Sequence, residues 1–220
     1  MAGKAANAFA AARQRMVHEQ LEPRDIENTQ VLGAMGVVPR EEFVPMMLRP
    51  WAYIDRPLSI GYEQTISQPY IVGLMTQALG LEGDERVLEV GTGSGYQTAV
   101  LAELCAEVFS IERLARLSHR AAATLFRLGY RNANLRVGDG TRGWPEAAPF
   151  DAILVTAGAT KLPSAYRAQL REGGRLVIPI GPQGEQLLHR CTRRGNELED
   201  EDLGRVAFVP LIGAKAQEGS

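Results

Sequence analysis

The chain reads Arg86-Val87-Leu88-Glu89-Val90-Gly91-Thr92-Gly93-Ser94-Gly95-Tyr96-Gln97 at the point that decides its fold. The apolar start predicts a short strand, and glycine at every second position then predicts a sharp turn that leads into a helix. Because such a turn is bare of side chains, a ligand can lie against its backbone amides. Glu89, at the carboxyl end of the strand, is expected to face the same crevice and to accept hydrogen bonds from the ligand. A tight turn without a ligand is the plainer alternative, and the flanking strand and helix favour the ligand site.

The spacing of the glycines separates this turn from the fingerprint of dinucleotide-binding proteins, G-x-G-x-x-G. The third glycine, Gly95, comes one position too early for that pattern, and Tyr96 stands where the pattern has glycine. An acid followed by x-G-x-G-x-G resembles instead the first motif of S-adenosylmethionine-dependent methyltransferases. The resemblance implies S-adenosyl-L-methionine as the cofactor. It assigns cofactor binding to the following residues of the motif: Glu89, Gly91, Thr92, Gly93, Ser94 and Gly95.

Length and charge set limits on the class of protein. A chain of 220 residues suits one α/β domain with a sizeable core, and a net charge of −2 provides no general attraction to nucleic acid or anionic lipid. The amino-terminal residues lack a long apolar run, so neither a signal peptide nor a membrane span is expected. Cys105 and Cys191 lack C-x-x-C spacing, and the histidines lack metal-ligand spacing. We therefore expect buried thiols, no metal site and a reducing, cytoplasmic location.

From residue 86 onward, predicted strands and helices alternate along the chain. This order predicts an α/β fold with a doubly wound, mainly parallel seven-stranded sheet, the Rossmann-like architecture of class I methyltransferases. The strands are predicted at residues 86–90, 107–111, 134–137, 150–155, 174–180, 186–192 and 205–210. The acidic residues 195–204 are interpreted as a solvated loop between the last two strands, and residues 163–170 as a helix.

Residues 1–80 are predicted to form a helical extension at the amino terminus. Helices are expected at residues 10–20, 26–35 and 69–79, with an irregular, proline-rich stretch before the last of them. No linker separates this extension from the rest of the chain. Residues 1–220 are therefore interpreted as a single methyltransferase domain, in which residues 81–220 form the cofactor-binding core.

Two further acids follow predicted strands on the cofactor side. Glu112 ends the second strand, where a doubly wound sheet has the acid that binds ribose hydroxyls, although an acid at a helix N-terminus is the simpler alternative. Asp139 lies between Gly138 and Gly140 after the third strand. There it is expected to accept a hydrogen bond from the amine of adenine, while amides near Gly140 contact the ring. Gly-Asp-Gly alone would indicate only a turn.

The end of the fourth predicted strand bears on the atom that accepts the methyl group. Methyltransferases that act on nucleic-acid amines often have Asn or Asp followed by Pro-Pro and an aromatic residue here, whereas this chain has Thr156-Ala157-Gly158. It also has no cysteine at this position to attack a pyrimidine ring. We therefore expect an acceptor that is already charged or easily ionised, and oxygen fits best.

A second informative stretch, Gln64-Thr65-Ile66-Ser67-Gln68-Pro69-Tyr70, precedes a predicted helix. Pro69 favours the first helical turn, which puts Ser67 or Gln68 at the N-cap. Capping alone would explain Ser67. A hydroxyl beside the positive end of a helix is also well placed to receive a carboxylate, and the two roles do not exclude each other.

Residues 64–75 resemble the signature of the protein-L-isoaspartate (D-aspartate) O-methyltransferase family, and the resemblance extends over nearly the whole chain. The other matching segments are residues 15–26, 38–45, 138–144, 150–157, 173–179 and 208–211. The resemblance implies methyl transfer to the free α-carboxylate of L-isoaspartyl residues, and more weakly of D-aspartyl residues, in damaged proteins. It implies that Ser67 orients that carboxylate. The other residues implied to contact the peptide are Thr65, Ile66, Gln68 and Val209.

The chain departs from the family pattern where Glu63 replaces a usual glycine, Gly158 an alanine and Ala207 an arginine. Because these positions flank the implied site, they bear on peptide preference more than on the reaction. Two other functions stay open. A methyltransferase for RNA or a small metabolite predicts a basic channel or an amine-acceptor motif, and the sequence shows neither. A nucleoside-binding module without turnover predicts a damaged glycine motif or a missing Ser67, and both are intact. The chain is expected to act on isoaspartyl proteins as a monomer, without nucleic-acid or membrane partners.

Overall fold

The computed structural model describes residues 2–214, so residue 1 and residues 215–220 of the predicted domain lie outside the described part. That part contains six α-helices: α1 (Ala2–Met16), α2 (Thr29–Val37), α3 (Pro69–Leu79), α4 (Tyr96–Ala102), α5 (Ala115–Leu128) and α6 (Ser164–Gln169). It also contains nine strands: β1 (Leu58–Gly61), β2 (Gln64–Ile66), β3 (Arg86–Val90), β4 (Glu107–Glu112), β5 (Ala133–Val137), β6 (Phe150–Val155), β7 (Leu170–Ile180), β8 (Gln186–Arg194) and β9 (Glu197–Val206).

Seven strands of the described part form one sheet, in the order β5-β4-β3-β6-β7-β8-β9. The first five of these run parallel, and β8 and β9 then pair antiparallel. The chain moves outward from β3 to β4 and β5, and then returns to the other side of β3 to form β6. Such a reversal opens a crevice at the carboxyl ends of the central strands. The predicted doubly wound, mainly parallel sheet is confirmed.

The central strand β3 is apolar on both faces. Val87, Leu88 and Val90 are at most 1% exposed, and β3 pairs with β4 on one side and with β6 on the other. Parallel sheets are covered on both faces and therefore need such continuous apolar strands. The glycine turn after β3 is consequently fixed at the mouth of the crevice.

The end of the sheet differs from the prediction. The acidic residues 195–204, interpreted as a loop, largely form strand β9, and the predicted strand 205–210 contributes only its first two residues to that strand. Charge did not exclude a strand because β9 is at the edge of the sheet, where charged side chains are common. Its carboxylates also face basic side chains of β8, as in the pairs Arg190–Glu201 and Arg194–Glu199.

The N-terminal extension (residues 1–80) is less regular than predicted. Helix α1 continues as a π-helical turn to Leu21, and α2 begins only after Asn28, whose side chain accepts hydrogen bonds from the amides of Gln30 and Val31. The hairpin formed by β1 and β2 was not predicted. Farther along the chain, α6 covers fewer residues than the helix predicted at 163–170.

One apolar core joins the N-terminal extension to the sheet layer. Met16, Leu21 and Met35 belong to the same buried cluster as Val100 of α4 and Leu117 of α5. The extension therefore packs directly on α4 and α5, the helices that lie against β4 and β5. None of the helices within residues 2–214 is long and apolar enough to cross a membrane.

Candidate active site

A cavity opens at the carboxyl ends of β3, β4 and β6, where the topology places the crevice. Its walls include the turn after β3, the end of β4 at Glu112, and Thr156 after β6. The segment around Ser67 and the segment around Val209 close the remaining sides. The cavity therefore collects residues from both halves of the chain around the glycine turn.

The glycine turn needs glycine for two separate reasons. Gly91, Gly93 and Gly95 all have positive φ, at 103°, 54° and 90°, which L side chains rarely adopt. A Cβ at Gly91 would also lie 2.3 Å from the Oγ1 of Thr156. Gly91, Thr92, Gly93 and Ser94 line the cavity, whereas Gly95 is the N-cap of α4 and faces Ala121 of α5. Four of the five predicted turn residues thus reach the cavity.

Glu112 lines the cavity and is only 6% exposed. Its Oε2 accepts a hydrogen bond of 2.9 Å from the amide of Gly93, and its Oε1 accepts one of 2.9 Å from the amide of Leu114. Leu114 is the N-cap of α5. Both predicted settings of Glu112 are therefore found together, since its carboxylate faces the cavity and also supports the start of a helix.

Glu89 lies beneath the turn and not in the cavity wall, which differs from the expectation that it faces the crevice. Its side chain is fully buried, and its Oε2 accepts hydrogen bonds of 2.5 Å from the hydroxyls of Thr98 and Ser110. Ser110 also shares a hydrogen bond of 2.5 Å with the hydroxyl of Thr92. Burial raises the pKa of Glu89 to about 8, although the two hydroxyls act in the opposite direction. Glu89 thus braces the turn through Ser110.

Asp139 is already bonded to protein groups. Its Oδ1 accepts hydrogen bonds from the amide and the hydroxyl of Thr141, at 3.0 and 2.6 Å, and its Oδ2 accepts one of 2.9 Å from the amide of Ala214. Gly140, the next residue, does line the cavity. A Cβ at Gly140 would lie 2.5 Å from a methyl group of Val90, so this position needs glycine. Of the two residues predicted to contact adenine, Gly140 thus lines the cavity, whereas Asp139 lies behind the cavity wall.

A groove adjoins the cavity on the side of the N-terminal extension. Thr65, Ser67, Thr156 and Val209 line both the cavity and the groove. Ile66 belongs to the cavity wall and Gln68 to the groove wall. All five residues predicted for the acceptor side are therefore brought together, at the place where the two spaces meet.

Ser67 does not cap helix α3. The N-cap is Gln68, whose side chain makes no capping bond, and the amide of Tyr70 donates to the carboxylate of Asp55 at 2.9 Å. In residues 2–214 no side-chain hydrogen bond of Ser67 is present, whereas its carbonyl accepts one of 2.7 Å from Arg40. The backbone of Ser67 is thus fixed while its hydroxyl is available to a ligand.

The wall around Val209 is held by contacts with β8 and with the chain after β6. The amide of Gly158 donates to the carbonyl of Val209 at 2.8 Å. The side chain of Gln186 bonds both backbone groups of Phe208, at 2.8 and 3.2 Å. A Cβ at Gly158 would lie 2.2 Å from the Nε2 of Gln186. Glycine at this position therefore leaves room for the glutamine that holds the wall.

The sequence alone did not single out several residues that build the site. Thr156 donates to the carbonyls of Val90 and Gly91, at 3.0 and 2.7 Å, and lines both spaces. Its position at the carboxyl end of a parallel strand could have indicated this role. Arg40, Asp55 and Gln186 carry no such signal, because their partners are distant along the chain. In the described part of the chain, no group of three or more His, Cys, Asp or Glu residues could hold a metal ion.

The sheet order and the cavity over the glycine turn define a class I methyltransferase, and the comparisons with known proteins give the family. Residues 11–216 match the model of a protein family described as "Protein-L-isoaspartate(D-aspartate) O-methyltransferase". The chain belongs to this family, whose members use S-adenosyl-L-methionine.

Relatives match this chain over most of its length. The protein-L-isoaspartate O-methyltransferase of Opitutus terrae is 58% identical over 204 residues, which cover 92% of this chain and 88% of that protein. The protein-L-isoaspartate O-methyltransferase 1 of Syntrophobacter fumaroxidans is 54% identical over 211 residues, or 96% of this chain and 99% of the relative.

Solved structures are similar in fold. A protein-L-isoaspartate O-methyltransferase superposes with a TM-score of 0.82 at 29% identity, covering 92% of this chain and 67% of the other. A Plasmodium falciparum chain assigned to the same enzyme, in complex with S-adenosyl-L-homocysteine, gives a TM-score of 0.80 at 28% identity and covers 91% of this chain and 98% of the other.

Proposed function

We propose that this chain transfers the methyl group of S-adenosyl-L-methionine to the free α-carboxylate of L-isoaspartyl residues, and more weakly of D-aspartyl residues, in damaged proteins. The observation that carries the proposal is the junction of cavity and groove at Thr65, Ser67, Thr156 and Val209. A cofactor in the cavity and a peptide in the groove would approach each other there.

The cavity residues fit S-adenosyl-L-methionine. The cavity wall is bare backbone at Gly91 and Gly140, where a Cβ would collide with Thr156 and Val90 respectively, so a cofactor can lie directly against the main chain there. The backbone of Gly91, Thr92, Gly93 and Ser94 would lie against the bound cofactor, which supplies a methyl group on a positively charged sulfur. The amides of Gly91 and Thr92 meanwhile donate to the carbonyl of Ile111 and hold the turn in place. Glu112 would accept hydrogen bonds from the ribose hydroxyls while it continues to accept the one from the amide of Gly93.

Three residues would hold the cofactor from behind the cavity wall. Glu89 would support the turn through its bonded hydroxyls, and Gly95 would start helix α4. Asp139 would fix Gly140 beside the adenine through its bonds to Thr141.

Methyl transfer to a carboxylate demands alignment more than acid–base chemistry. A carboxyl group with an ordinary pKa near 4 is ionised at neutral pH, so no general base is needed. Holding two reactants in line can contribute about 7–11 kcal/mol. The Ser67 hydroxyl would donate a hydrogen bond to the carboxylate and so orient its oxygen. Thr65, Ile66, Gln68 and Val209 would shape the slot and exclude water, which otherwise weakens a carboxylate nucleophile.

We further propose that the chain acts as one methyltransferase domain over residues 1–220 and as a monomer in the reducing cytoplasm. The core shared between the N-terminal extension and α4 and α5 supports one domain. The chain's own residues line both the cavity and the groove, so the proposed reaction uses no residue of a second copy. Cys105 and Cys191 are free and buried, which supports a reducing compartment.

One assay tests the reaction and its acceptor. The purified chain is incubated with radiolabelled S-adenosyl-L-methionine and a peptide that carries isoaspartate, beside the same peptide with normal aspartate. We expect label in a base-labile methyl ester of the isoaspartyl peptide and little in the control. Equal labelling of both peptides, or label in neither, would contradict the proposed function.

A further inference from the structure

Arg40 is a fully buried cation next to the junction of cavity and groove. Its side chain has 0% exposure. Its Nε donates to the carbonyl of Ala52 and its Nη2 to the carbonyl of Ser67, each at 2.7 Å. Its guanidinium carbon lies 4.7 Å from the centre of the Tyr96 ring. One side chain thus contacts the N-terminal extension, the Ser67 segment and the first residue of helix α4.

Stability alone does not explain why an arginine is buried here. Burying an ion costs several kcal/mol even after relaxation, and apolar replacements of similar volume are often as stable. Arg40 makes no ion pair in the described part of the chain, and its Nη1 has no hydrogen-bond partner there. The charged and titratable groups that face it are Tyr53, Asp55 and Tyr96. The presence of a buried arginine at this position is therefore better explained by the geometry that it imposes on its partners.

The geometric reason lies in the shape of the guanidinium group. Its donors form a rigid planar fork, so two bonded carbonyls are held at a fixed separation and angle. Because the Ser67 carbonyl is one of them, the fork fixes the backbone from which the Ser67 hydroxyl projects. Tyr96, on the other side of Arg40, lines the cavity directly after the glycine turn. Arg40 therefore ties the acceptor side of the site to the donor side.

We propose that Arg40 is a positioning residue for methyl transfer, which holds Ser67 at the place where the carboxylate must meet the cofactor. The inference rests on the proposed role of Ser67 and extends it to a residue that does not touch the substrate. Loss of the fork is expected to misplace Ser67 while the glycine turn remains intact. The transfer step then slows, and cofactor affinity does not change.

The test uses Arg40→Met, Arg40→Lys and a matched control, Arg13→Met. Arg13 is another largely buried arginine of the extension, but it bonds the carbonyl of Gly36 and the hydroxyl of Tyr53 and not Ser67. Single-turnover methylation of the isoaspartyl peptide is measured with saturating cofactor, and rates are normalised to the folded fraction from circular dichroism. We expect Arg40→Met to slow transfer about 10–100-fold, the range for a displacement of about 1 Å. Arg40→Lys is expected to be intermediate, and Arg13→Met to keep the normal rate.

A double-mutant cycle separates positioning from general damage. If Arg40 acts through Ser67, the double variant Arg40→Met, Ser67→Ala should be no slower than Ser67→Ala alone. Multiplied losses, or a normal rate in the folded Arg40 variants, would overturn the proposal. If Arg40→Met does not fold, Arg40→Lys enters the same cycle. A wild-type chain that fails to methylate the peptide contradicts the proposed function itself, a result distinct from any outcome for Arg40.

Discussion

The two sides of the site are built in different ways. The cofactor side consists mainly of backbone from one short segment, the turn after β3, which the neighbouring strands hold at both edges. The acceptor side combines a segment of the N-terminal extension around Ser67 with a segment near the carboxyl terminus around Val209. Side chains distant along the chain, Arg40 and Gln186, hold these segments.

This difference predicts which property of the protein changes when a residue on each side is substituted. A substitution in the turn obstructs the binding surface itself, so cofactor affinity should be lost. A substitution on the acceptor side shifts segments that close the cavity but leaves the glycine turn in place, so the rate or the peptide KM should change more than the cofactor affinity. Four substitutions test this contrast, beginning with the largest expected effect.

Gly91→Val should abolish cofactor binding. Its φ of 103° excludes β-branched residues, and its Cβ would lie 2.3 Å from the hydroxyl of Thr156. Gly83→Val is the matched control, because Gly83 also has a positive φ, 119°, but no atom lies within 4 Å of its Cβ position. Calorimetry should show loss of S-adenosyl-L-methionine binding only for Gly91→Val. Equal affinities of the two folded variants for S-adenosyl-L-methionine would show that the turn is not part of the cofactor site.

Glu112→Ala should weaken cofactor affinity by about 1.5–3 kcal/mol, the contribution of a hydrogen bond to a charged group. The variant also loses the bond to the amide of Gly93, which shapes the turn. Binding is measured by calorimetry together with the melting temperature. A lower melting temperature with unchanged affinity would mean that Glu112 only supports the start of α5.

Gly158→Ala should raise the peptide KM by about 3–10-fold and leave cofactor affinity unchanged. The added methyl group displaces Gln186 from Phe208, and each such hydrogen bond contributes about 0.5–1.5 kcal/mol. Gly33→Ala, at a helical position with open space around its Cβ, is the control. An unchanged KM would show that Gln186 does not hold the wall.

Glu63→Gly should have the smallest effect, a stabilisation of about 1 kcal/mol, which corresponds to about 2–4 °C in melting temperature. Tyr62 and Glu63 both have positive φ, 56° and 58°, in the turn between β1 and β2. Glycine adopts this conformation without strain, whereas Glu63→Ala keeps the strain and should bring no gain. The methylation rate should not change in either variant, since the turn lies beyond the acceptor residues.

The two sides also differ in how far the sequence predicts them. The cofactor turn was predictable because its spacing, its strand and its helix are contiguous, and local sequence fixes such units. The acceptor segment was found by resemblance, but its geometry was not. Capping by Ser67 was a reasonable alternative until the structure showed Asp55 at the first helical turn. The sequence did not indicate a role for Arg40, because arginine is almost never fully buried and is therefore expected at the surface.

Strand β9 and Glu89 differ from their predictions for two other physical reasons. The acidic run in β9 suits a solvated loop and an edge strand equally well, and only its pairing with β8 decides between them. Glu89 stands at the predicted end of β3, but a period-two strand points successive side chains to opposite faces. Which face meets the ligand depends on packing, and here Glu89 points to Thr98 and Ser110.

The proposed role of Ser67 is tested most directly by single-turnover methylation of an isoaspartyl peptide by Ser67→Ala, with cofactor saturating and cofactor affinity measured in parallel. Loss of one positioned donor predicts a rate lower by about 10–1,000-fold, with unchanged affinity for S-adenosyl-L-methionine. Ser67→Thr keeps a hydroxyl group and should retain part of the rate. A normal rate for the folded alanine variant would contradict this role, because the acceptor carboxylate would then be oriented by another group.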